Sequence, residues 1–546
     1  MEIVSWTVGE VLNRAAAALP EADAVVYPDR GLRWSYRELR DRVDRLARGL
    51  LALGVAKGEH VAVWATNVPE WVLLQFATAK VGAVLVTVNT NYQRHEVGYV
   101  LGQSDATTVF LTDGFRDVDY VAVMRDLLAG KEPGADLSRL RRVVHIGPNT
   151  PEGFTGLGDV EALADGLPPE ALAAREAELR PDEPINMQYT SGTTGFPKGV
   201  LLSHRGIVNN ALAQGEILGF GPADRLCIPV PLFHCFGCVM STLLCACYGA
   251  AMVILEAFDP KGVLEAVHRE RCTALHGVPT MFLAVLNHPE FGTYDVSSLR
   301  TGVMAGAPCP VELMKRVRRD LHMSEVCITY GQTEGSPGIT MTRRHDPVER
   351  RVASVGRALP GVEVKIVDPD TGREVPPGTQ GELCSRGYNT MIGYYKMPEA
   401  TAQAVDPEGW LHTGDLAVMD EEGYCRITGR LKNMIIRGGE NIYPREIEEF
   451  LYTHPGILQV EVVGVPDERY GEQVLAAVVP KPGWDLTEDE VREFCRGRIA
   501  RHKIPRYVMF VPEMPLTASG KVKKYVLREM AIARYGLEGA ARIETA

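Results

Sequence analysis

A short run near residue 190 combines hydroxyl, glycine and lysine residues in a way that is typical of phosphate binding. Residues 189–199 (YTSGTTGFPKG) contain four Ser or Thr residues, three glycines and Lys198. Glycines let backbone N–H groups turn toward an anion, hydroxyl groups donate further hydrogen bonds, and the lysine adds a positive charge. A P-loop would need glycine at position 197, where the sequence has proline. The segment therefore predicts a triphosphate cradle other than a P-loop; considered alone, it is also compatible with a flexible surface loop.

Four later segments place polar or charged residues beside turns and strand-like stretches. Glu334 ends the first of them and Asp415 ends the second. Considered singly, each carboxylate is more typical of an ordinary surface position or a turn cap. The segments are residues 329–334 (TYGQTE), 410–415 (WLHTGD), 429–444 (GRLKNMIIRGGENIYP) and 515–521 (PLTASGK).

The elements that must position these segments alternate between helix and strand in the first half of the chain. Residues 35–54 and 71–82 have the apolar spacing of helices, and residues 60–65 and 83–89 are predicted to be buried strands. This alternation predicts the α/β class, with a parallel sheet and helices on its faces.

The alternation of predicted helices and strands ends at about residue 356. Short strands separated by Gly, Pro and Asp turns predict a β-rich subdomain over about 356–430. Beyond it, strands at 458–465 and 473–480 and helices at 445–454 and 488–500 predict a compact α+β unit.

Composition excludes several classes of protein. A hydrophobic fraction of 45% with 23% charged residues is typical of a globular protein and excludes a disordered chain or a coiled coil. The 58 basic and 70 acidic residues give a net charge of −12, which provides no reason to expect a nucleic-acid partner. All eleven cysteines lie at or beyond Cys227 with irregular spacing, which favours reduced thiols in a cytoplasmic protein. A metal or redox pair at Cys235 and Cys238 is the alternative.

One uncharged stretch is long enough to cross a membrane. Residues 226–255 contain no Asp, Glu, Lys or Arg. Because prolines and glycines divide this stretch, we expect a buried strand, a loop over 231–237, a helix over 238–248 and a second strand, with no transmembrane segment. The N-terminus lacks the basic region and the cleavage site of a signal peptide.

In this order and spacing, the five polar segments resemble the adenylate-forming (ANL) superfamily, which includes acyl- and aryl-CoA ligases, firefly luciferase and the adenylation domains of nonribosomal peptide synthesis. The resemblance spans nearly the whole chain. It implies a large N-terminal domain of αβαβα layers over residues 1–430, including the β-rich subdomain, and a small mobile α+β C-terminal domain over 431–546, with a hinge near Lys432. It also implies that ATP, with Mg²⁺, activates a carboxylic acid as a mixed anhydride with AMP before transfer to the thiol of coenzyme A.

The resemblance implies a nucleotide site assembled from several segments. Tyr330 flanks adenine, Thr333 contacts the α-phosphate, Glu334 is the magnesium ligand and Asp415 accepts hydrogen bonds from the ribose hydroxyls. A single carboxylate and substrate phosphates are the oxygen ligands that a hard cation prefers. The other nucleotide-site residues that it implies are Thr190, Ser191, Gly192, Thr193, Thr194, Lys198, Gly306, Ala307, Pro308, Gly331, Gln332 and Arg430.

The resemblance also implies two catalytic poses of the C-terminal domain. Lys521 bridges the acid carboxylate and the α-phosphate during adenylation, where a cation stabilises the developing charge. Rotation near Lys432 then closes the face formed by Gly438, Gly439 and Glu440 for thioester formation. Asn433 departs from the aspartate that many relatives carry beside the pivot.

The acid pocket implied by the resemblance is apolar. His234 lies at its wall near the carboxylate, and no Arg, Lys or Asp in these segments would pair with a second charged group. The remaining pocket residues are Phe236, Val303, Gly306, Gly335 and Pro337. The segments 231–237 and 275–282 resemble those of medium-chain fatty acyl-CoA ligases, so we expect that substrate class.

Two alternatives stay open for the reaction, and one for the assembly. An aryl acid such as benzoate or a cinnamate is the second candidate substrate, and a carrier protein is the second candidate acceptor. The basic residues Arg501, Lys503 and Arg506 favour coenzyme A, whose phosphates need cationic partners. Some relatives are dimers, so a homodimer is a further expectation.

Overall fold

The computed structural model of the 546-residue chain describes residues 1–132, 134–190, 197–306, 309–437, 440–467, 470–496, 498–499, 501–517 and 520–541. They form two compact units. The first unit contains residues 1–364 and 385–412, and the second contains residues 365–384 and 413–546.

The largest sheet of the first unit has eight strands, and six neighbouring strands of it run parallel. The two strands at one edge are antiparallel to their neighbours. The parallel strands lie on apolar runs such as Val61–Val63, as expected for a sheet covered on both faces. In spatial order the strands are Gly393–Tyr394, Lys198–Ser203, Pro184–Thr190, Val84–Thr87, His60–Trp64, Thr108–Leu111, Arg142–His145 and Thr155–Gly156.

A five-stranded sheet is the second layer of strands, and it is parallel except for its last pair. A smaller four-stranded sheet carries the segment around Tyr330. The five strands are Ala274–Leu275, Arg225–Ile228, Ala251–Ile254, Asp23–Tyr27 and Leu32–Ser35. The four strands are Val303–Met304, Cys327–Gly331, Gly338–Met341 and Arg357–Ala358. A separate hairpin pairs Gly114–Phe115 with Val118–Asp119.

Helices of the first unit begin at capping residues that the sequence contains. Thr7 and Ser35 each accept a hydrogen bond from the backbone of a glutamate three residues later, and that glutamate caps them in return. The α-helices of eight or more residues are Val8–Ala18, Tyr36–Ala52, Pro69–Val81, Arg94–Gln103, Tyr120–Leu128, Pro169–Ala177, His204–Leu218, Pro260–Glu270, Pro279–Leu286 and Val311–Asp320. Shorter helices are Leu157–Ala162, Val348–Ala353 and Pro398–Ala404.

The uncharged stretch 226–255 lies in the core of the first unit. Its two strands are present as expected, but the predicted loop ends three residues early because an α-helix begins at Cys235. This helix continues through the π-helix Cys238–Leu243 into the α-helix Leu244–Tyr248. Among the described residues, no helix combines the length and the apolar character needed to cross a bilayer. All eleven cysteines are free thiols.

The second unit contains most residues of a four-stranded sheet and all strands of a five-stranded sheet. A four-stranded sheet is formed by Val362–Val367, Gln380–Gly387, Leu411–Met419 and Cys425–Arg430. The five-stranded sheet contains Glu440–Ile442, Ile435–Arg437, Gly471–Pro480, Ile457–Asp467 and Tyr507–Phe510. Its helices are Pro444–Leu451, Glu488–Cys495, Lys524–Tyr535 and Glu538–Ala541. The helix predicted over 488–500 ends at Cys495, because Arg496 has extended backbone angles.

Candidate active site

The two ends of the predicted phosphate cradle are neighbours in the first unit. The strands Pro184–Thr190 and Lys198–Ser203 are antiparallel, and their register places Thr190 opposite Lys198. Ser191, Gly192, Thr193 and Thr194 lie outside the described residues.

A tyrosine joins the lysine of the cradle to the predicted magnesium ligand. The strand Gly393–Tyr394 pairs with the strand that begins at Lys198. The Lys198 ammonium lies 4.7 Å from the centre of the Tyr394 ring, and the Tyr394 hydroxyl donates a 2.8 Å hydrogen bond to Glu334 Oε1. Burial, followed by the charge of Glu334, raises the pKa of Tyr394 well above its usual value, so the phenol stays a proton donor. Sequence reasoning missed Tyr394, because no motif spacing marks it and only strand pairing brings it here.

Glu334 lies in a short turn, and its side chain is buried. It lies in the 3₁₀-helix Thr333–Gly335, its side chain belongs to the buried polar residues, and its carbonyl accepts a hydrogen bond from the Met391 amide at 2.9 Å. A carboxylate has about four acceptor positions, and the Tyr394 hydroxyl occupies one of them. The donor set therefore fits a hard cation, which needs carboxylate oxygen together with phosphate oxygens.

Thr333 and His234 are brought to the same place by Cys235. The Cys235 sulfur lies 3.8 Å from Thr333 Oγ1 and 3.6 Å from His234 Nδ1. His234 caps the helix that begins at Cys235, because its Nδ1 accepts a 3.2 Å hydrogen bond from the Phe236 amide. The structure thus brings together two residues that are 99 positions apart in sequence: Thr333, which was predicted to contact the α-phosphate, and His234, which was predicted to lie near the carboxylate of the acid.

The other predicted pocket residues lie in three segments of the first unit, at position 236, over 303–306 and over 335–337. Phe236 and Val303 are buried, at 7% and 0% exposure. Gly335 ends the turn that contains Glu334, and its carbonyl lies 3.5 Å from Asn210 Nδ2. Pro337 follows, and Gly306 has φ +83°, a left-handed conformation that suits glycine. Ala307 and Pro308 lie outside the described residues.

Tyr330, Gly331 and Gln332 end a strand directly before this turn. Tyr330 and Gly331 are the last residues of the strand Cys327–Gly331, and Gln332 precedes the 3₁₀-helix. A Cβ atom on Gly331 would lie 1.9 Å from the Pro337 carbonyl oxygen. Only glycine therefore fits at position 331, and the close contact fixes the path of the chain between Tyr330 and Thr333.

In the second unit, buried Asp415 forms an ion pair with partly exposed Arg430. The strands Leu411–Met419 and Cys425–Arg430 are antiparallel, and their register places Asp415 opposite Arg430. Asp415 is 2% exposed, and its two carboxylate oxygens accept hydrogen bonds from Arg430 Nε and Nη2. The Asp415 amide donates to Thr413 Oγ1 at 3.1 Å. The aspartate is therefore held in one orientation by its own strand and by its neighbour.

Lys521 lies at a small hairpin in the second unit and is exposed. Its carbonyl accepts a 2.7 Å hydrogen bond from the Thr517 amide, and its amide donates to Thr517 Oγ1 at 3.0 Å. Leu516 and Val522 form a single antiparallel bridge next to it. The backbone is thus fixed on both sides of Lys521 while the side chain faces solvent.

The predicted pivot and closing face fall partly outside the described part of the chain. Lys432 lies in the 3₁₀-helix Leu431–Asn433, and Glu440 begins the strand Glu440–Ile442. Gly438 and Gly439 lie outside the described residues, as do the side chains of Lys432 and Glu440. The boundary at residue 430 and the hinge near Lys432 stay predictions.

Comparison with known proteins decides the family. The family model described as AMP-binding enzyme matches residues 12–395, and the model of the AMP-binding enzyme C-terminal domain matches residues 446–521. The chain belongs to the AMP-binding enzyme family. Membership of this family confirms the predicted α/β fold, with a large N-terminal domain and a smaller C-terminal domain.

Two curated relatives place the chain in the acyl-CoA synthetase branch, and one ATP-bound solved structure shares its fold. The chain is 53% identical over 546 residues to YngI of Bacillus subtilis (strain 168), a relative named as an acyl-CoA synthetase. The match covers 99% of this chain and all of that relative. It is 41% identical to the mitochondrial medium-chain acyl-CoA ligase ACSF2 of Homo sapiens, covering 96% of this chain and 87% of that protein. The ATP-bound structure of MatB from Rhodopseudomonas palustris matches with a TM-score of 0.84 at 30% identity, covering 97% of this chain and 100% of MatB. The AMP-binding enzyme is accordingly an ATP-dependent acid–thiol ligase.

Proposed function

We propose that the protein joins a medium-chain fatty acid to coenzyme A in two steps. A carboxylate oxygen of the acid first attacks the α-phosphorus of ATP, and the bond to pyrophosphate breaks, which leaves an acyl-adenylate. The deprotonated sulfur of coenzyme A then attacks the acyl carbon, and AMP leaves with the electron pair of the broken C–O bond. The observation that carries the proposal is the cluster in which Lys198, Tyr394 and Glu334 meet beside the predicted cradle.

The first step needs positive charge and hydrogen-bond donors around the phosphates. We assign the β- and γ-phosphates to Lys198 with Thr190 and residues 191–194, and the α-phosphate to Thr333. Asp415 receives the ribose hydroxyls, and Tyr330 flanks adenine. The contact between Thr333 and Cys235, beside His234, supports a reacting carboxylate close to the α-phosphate.

Glu334 is the residue that would hold Mg²⁺. The cation supplies charge neutralisation to the phosphate oxygens when it is bound. The Tyr394 hydroxyl orients the Glu334 carboxylate, and the Lys198 ammonium adds positive charge on the same side of the tyrosine ring.

Lys521 serves the adenylation step, and coenzyme A enters in the second step. The exposed side chain of Lys521, on a hairpin whose backbone is held by Thr517, supports a role in which the ammonium contacts the substrates. We assign the pivot between the steps to Lys432 and the closing face to residues 438–440. Exposed Arg501 and Arg506 support binding of the coenzyme A phosphates.

The burial of Phe236 and Val303, two apolar residues of the predicted acid pocket, supports an apolar acid as the substrate. The decisive experiment measures kcat/KM for a panel of acids from acetate to palmitate, plus benzoate, with free coenzyme A or a phosphopantetheinylated carrier protein as acceptor. We expect a maximum at medium chain length and transfer to free coenzyme A. A maximum for benzoate would replace the substrate, transfer only to the carrier would replace the acceptor, and no pyrophosphate release from any acid would overturn the proposal.

We further propose that the protein works as a homodimer in the cytoplasm. The assembly is the one that the resemblance implies, and the eleven cysteines without a disulfide support a reducing compartment. Sedimentation velocity tests the assembly, and a monomer at micromolar concentration would refute it. Fractionation of the producing cell tests the location.

A further inference from the structure

Asn67 is a buried asparagine whose side chain joins two segments close to the predicted acid pocket. It lies just before the helix Pro69–Val81 and is 4% exposed. Its Nδ2 donates to the Val230 and Leu255 carbonyls at 3.0 Å each, and its Oδ1 accepts from the Leu232 amide at 2.8 Å. The side chain therefore holds the backbone on both sides of the intervening proline and fixes it to the end of a neighbouring strand.

The segment that Asn67 holds leads directly into residues 231–238, the pocket wall, which carries His234. Pro229 and Pro231 have no amide hydrogen, so this part of the chain has two fewer backbone donors with which to fix itself. The Pro231 carbonyl accepts a 3.3 Å hydrogen bond from the His234 amide. A Cβ atom on Gly237 would overlap the same carbonyl oxygen, so the helix start packs directly against this proline. A shift of the segment held by Asn67 would therefore move His234.

Gln75 holds the other end of the pocket wall. It lies in the helix Pro69–Val81 and is 6% exposed. Its Nε2 donates to the Cys238 carbonyl at 2.7 Å, and its Oε1 accepts from the Thr242 hydroxyl at 2.7 Å. The Cys238 amide in turn donates to the His234 carbonyl at 3.1 Å. One short segment of the chain thus fixes the pocket wall from both ends.

We propose that Asn67 and Gln75 are positioning residues for the acid, which they do not touch, because they hold His234 and Phe236 where the acid binds. This inference rests on the proposed function, which places those two side chains in the acid pocket. Burying an amide is costly unless its hydrogen bonds are made. Each of these two buried amides makes hydrogen bonds with the pocket wall or the residues that lead into it. Loss of either amide therefore weakens binding of the acid and leaves the nucleotide residues in place.

The test compares Asn67→Ala with Asn209→Ala in the full-length protein and measures the KM for octanoate and the KM for ATP separately. Asn209 is also buried and makes three hydrogen bonds, with the Val4 amide, the Val4 carbonyl and the Arg205 carbonyl. Both variants lose three hydrogen bonds between a buried side chain and the backbone, so we expect similar losses of thermal stability. We expect Asn67→Ala alone to raise the KM for octanoate, by about tenfold, with the KM for ATP unchanged. Equal changes of both KM values in the two variants would overturn the inference.

A double-mutant cycle with His234→Ala shows whether the effect of Asn67 passes through the pocket wall. We expect Asn67→Ala to raise the KM for octanoate less in the His234→Ala background than in the wild type, because residues that act together are not additive. Full additivity would overturn the inference and leave the proposed function standing. An unchanged KM for octanoate in His234→Ala would overturn both the inference and the assignment of His234 to the pocket. No thioester from any acid would overturn the proposed function and the inference with it.

Gln75→Leu tests the same inference if Asn67→Ala fails to fold. Leucine is apolar and of similar size, and it removes both hydrogen bonds between Gln75 and the helix start. We expect the KM for octanoate to rise roughly fivefold and the KM for ATP to stay unchanged. Near-ultraviolet circular dichroism checks that the variant is folded. An unchanged KM for octanoate in the folded Gln75→Leu variant would overturn the inference.

Discussion

The Tyr394 hydroxyl donates a 2.8 Å hydrogen bond to the Glu334 carboxylate, although 60 residues separate the two in sequence. The same tyrosine presents its ring to the Lys198 ammonium. One side chain thus orients the predicted magnesium ligand and also contacts the cation of the phosphate cradle. We infer from these two contacts that Tyr394 positions Glu334 for the proposed adenylation step.

Tyr394→Phe should weaken the use of magnesium and ATP while keeping the ring against Lys198. A hydrogen bond to a charged group contributes roughly 1.5–3 kcal/mol, so we expect the KM for magnesium–ATP to rise at least about tenfold. Tyr395→Phe is the matched control, because the neighbouring hydroxyl donates to Asp105 and not to Glu334. Equal effects of the two substitutions in a magnesium titration would contradict the assigned role of Tyr394.

Lys521→Ala should separate the two half-reactions. Loss of a cation aimed at the developing charge typically lowers the rate by about a hundred- to a thousandfold, and only adenylation needs that charge. We therefore expect pyrophosphate release to fall by this factor, while thioester formation from supplied acyl-AMP stays largely intact. Lys523→Ala, two residues away, is the control. Equal losses in both half-reactions would refute the role of Lys521.

Arg430→Lys should lower affinity for ATP without unfolding the protein. Lysine keeps the charge beside Asp415 but loses the planar fork that contacts both carboxylate oxygens. The aspartate is then held less firmly for the ribose, and we expect the KM for ATP to rise roughly tenfold. Arg426→Lys, an exposed position on the same strand, should leave the KM for ATP unchanged. Isothermal calorimetry with ATP checks both variants.

Glu461→Gln should change how the stability of the second unit depends on pH. Burial raises the pKa of Glu461 to about 7, although Lys524 Nζ lies 3.1 Å away and opposes the shift. The folded protein therefore holds a proton that the unfolded chain has already released, and the contribution of this group to stability is lost as pH rises toward 7. We expect the variant to lose less hydrogen-exchange protection in the strand Ile457–Asp467 than the wild type between about pH 5 and about pH 8.

Glu449→Gln is the control for that experiment. Glu449 is exposed and pairs with Arg445 one helical turn away. Its substitution should leave the pH dependence of exchange as it is in the wild type. A parallel pH profile for the Glu461 variant and the wild type would contradict the buried proton.

Local patterns in the sequence were sufficient for the elements and for most of the motif residues. Apolar spacing predicted the helix Tyr36–Ala52 and the strand His60–Trp64, because one face of a helix and both faces of a covered strand must be apolar whatever surrounds them. The ends of elements were less predictable. The helix that begins at Cys235 depends on the His234 ring as its cap, and no periodicity shows such a contact.

The sequence by itself determined which residue types are available for binding phosphate, cation and acid, since these follow from composition and order within short segments. Only the tertiary structure decided which of them act together. Tyr394 reaches Glu334 because a two-residue strand pairs at the edge of the large sheet, and Cys235 lies within 4 Å of both His234 Nδ1 and Thr333 Oγ1, at 3.6 Å and 3.8 Å. These contacts join segments that are distant in sequence. Whether their side chains form hydrogen bonds depends on the distances and angles set by the tertiary structure, and the sequence of a short segment does not determine these.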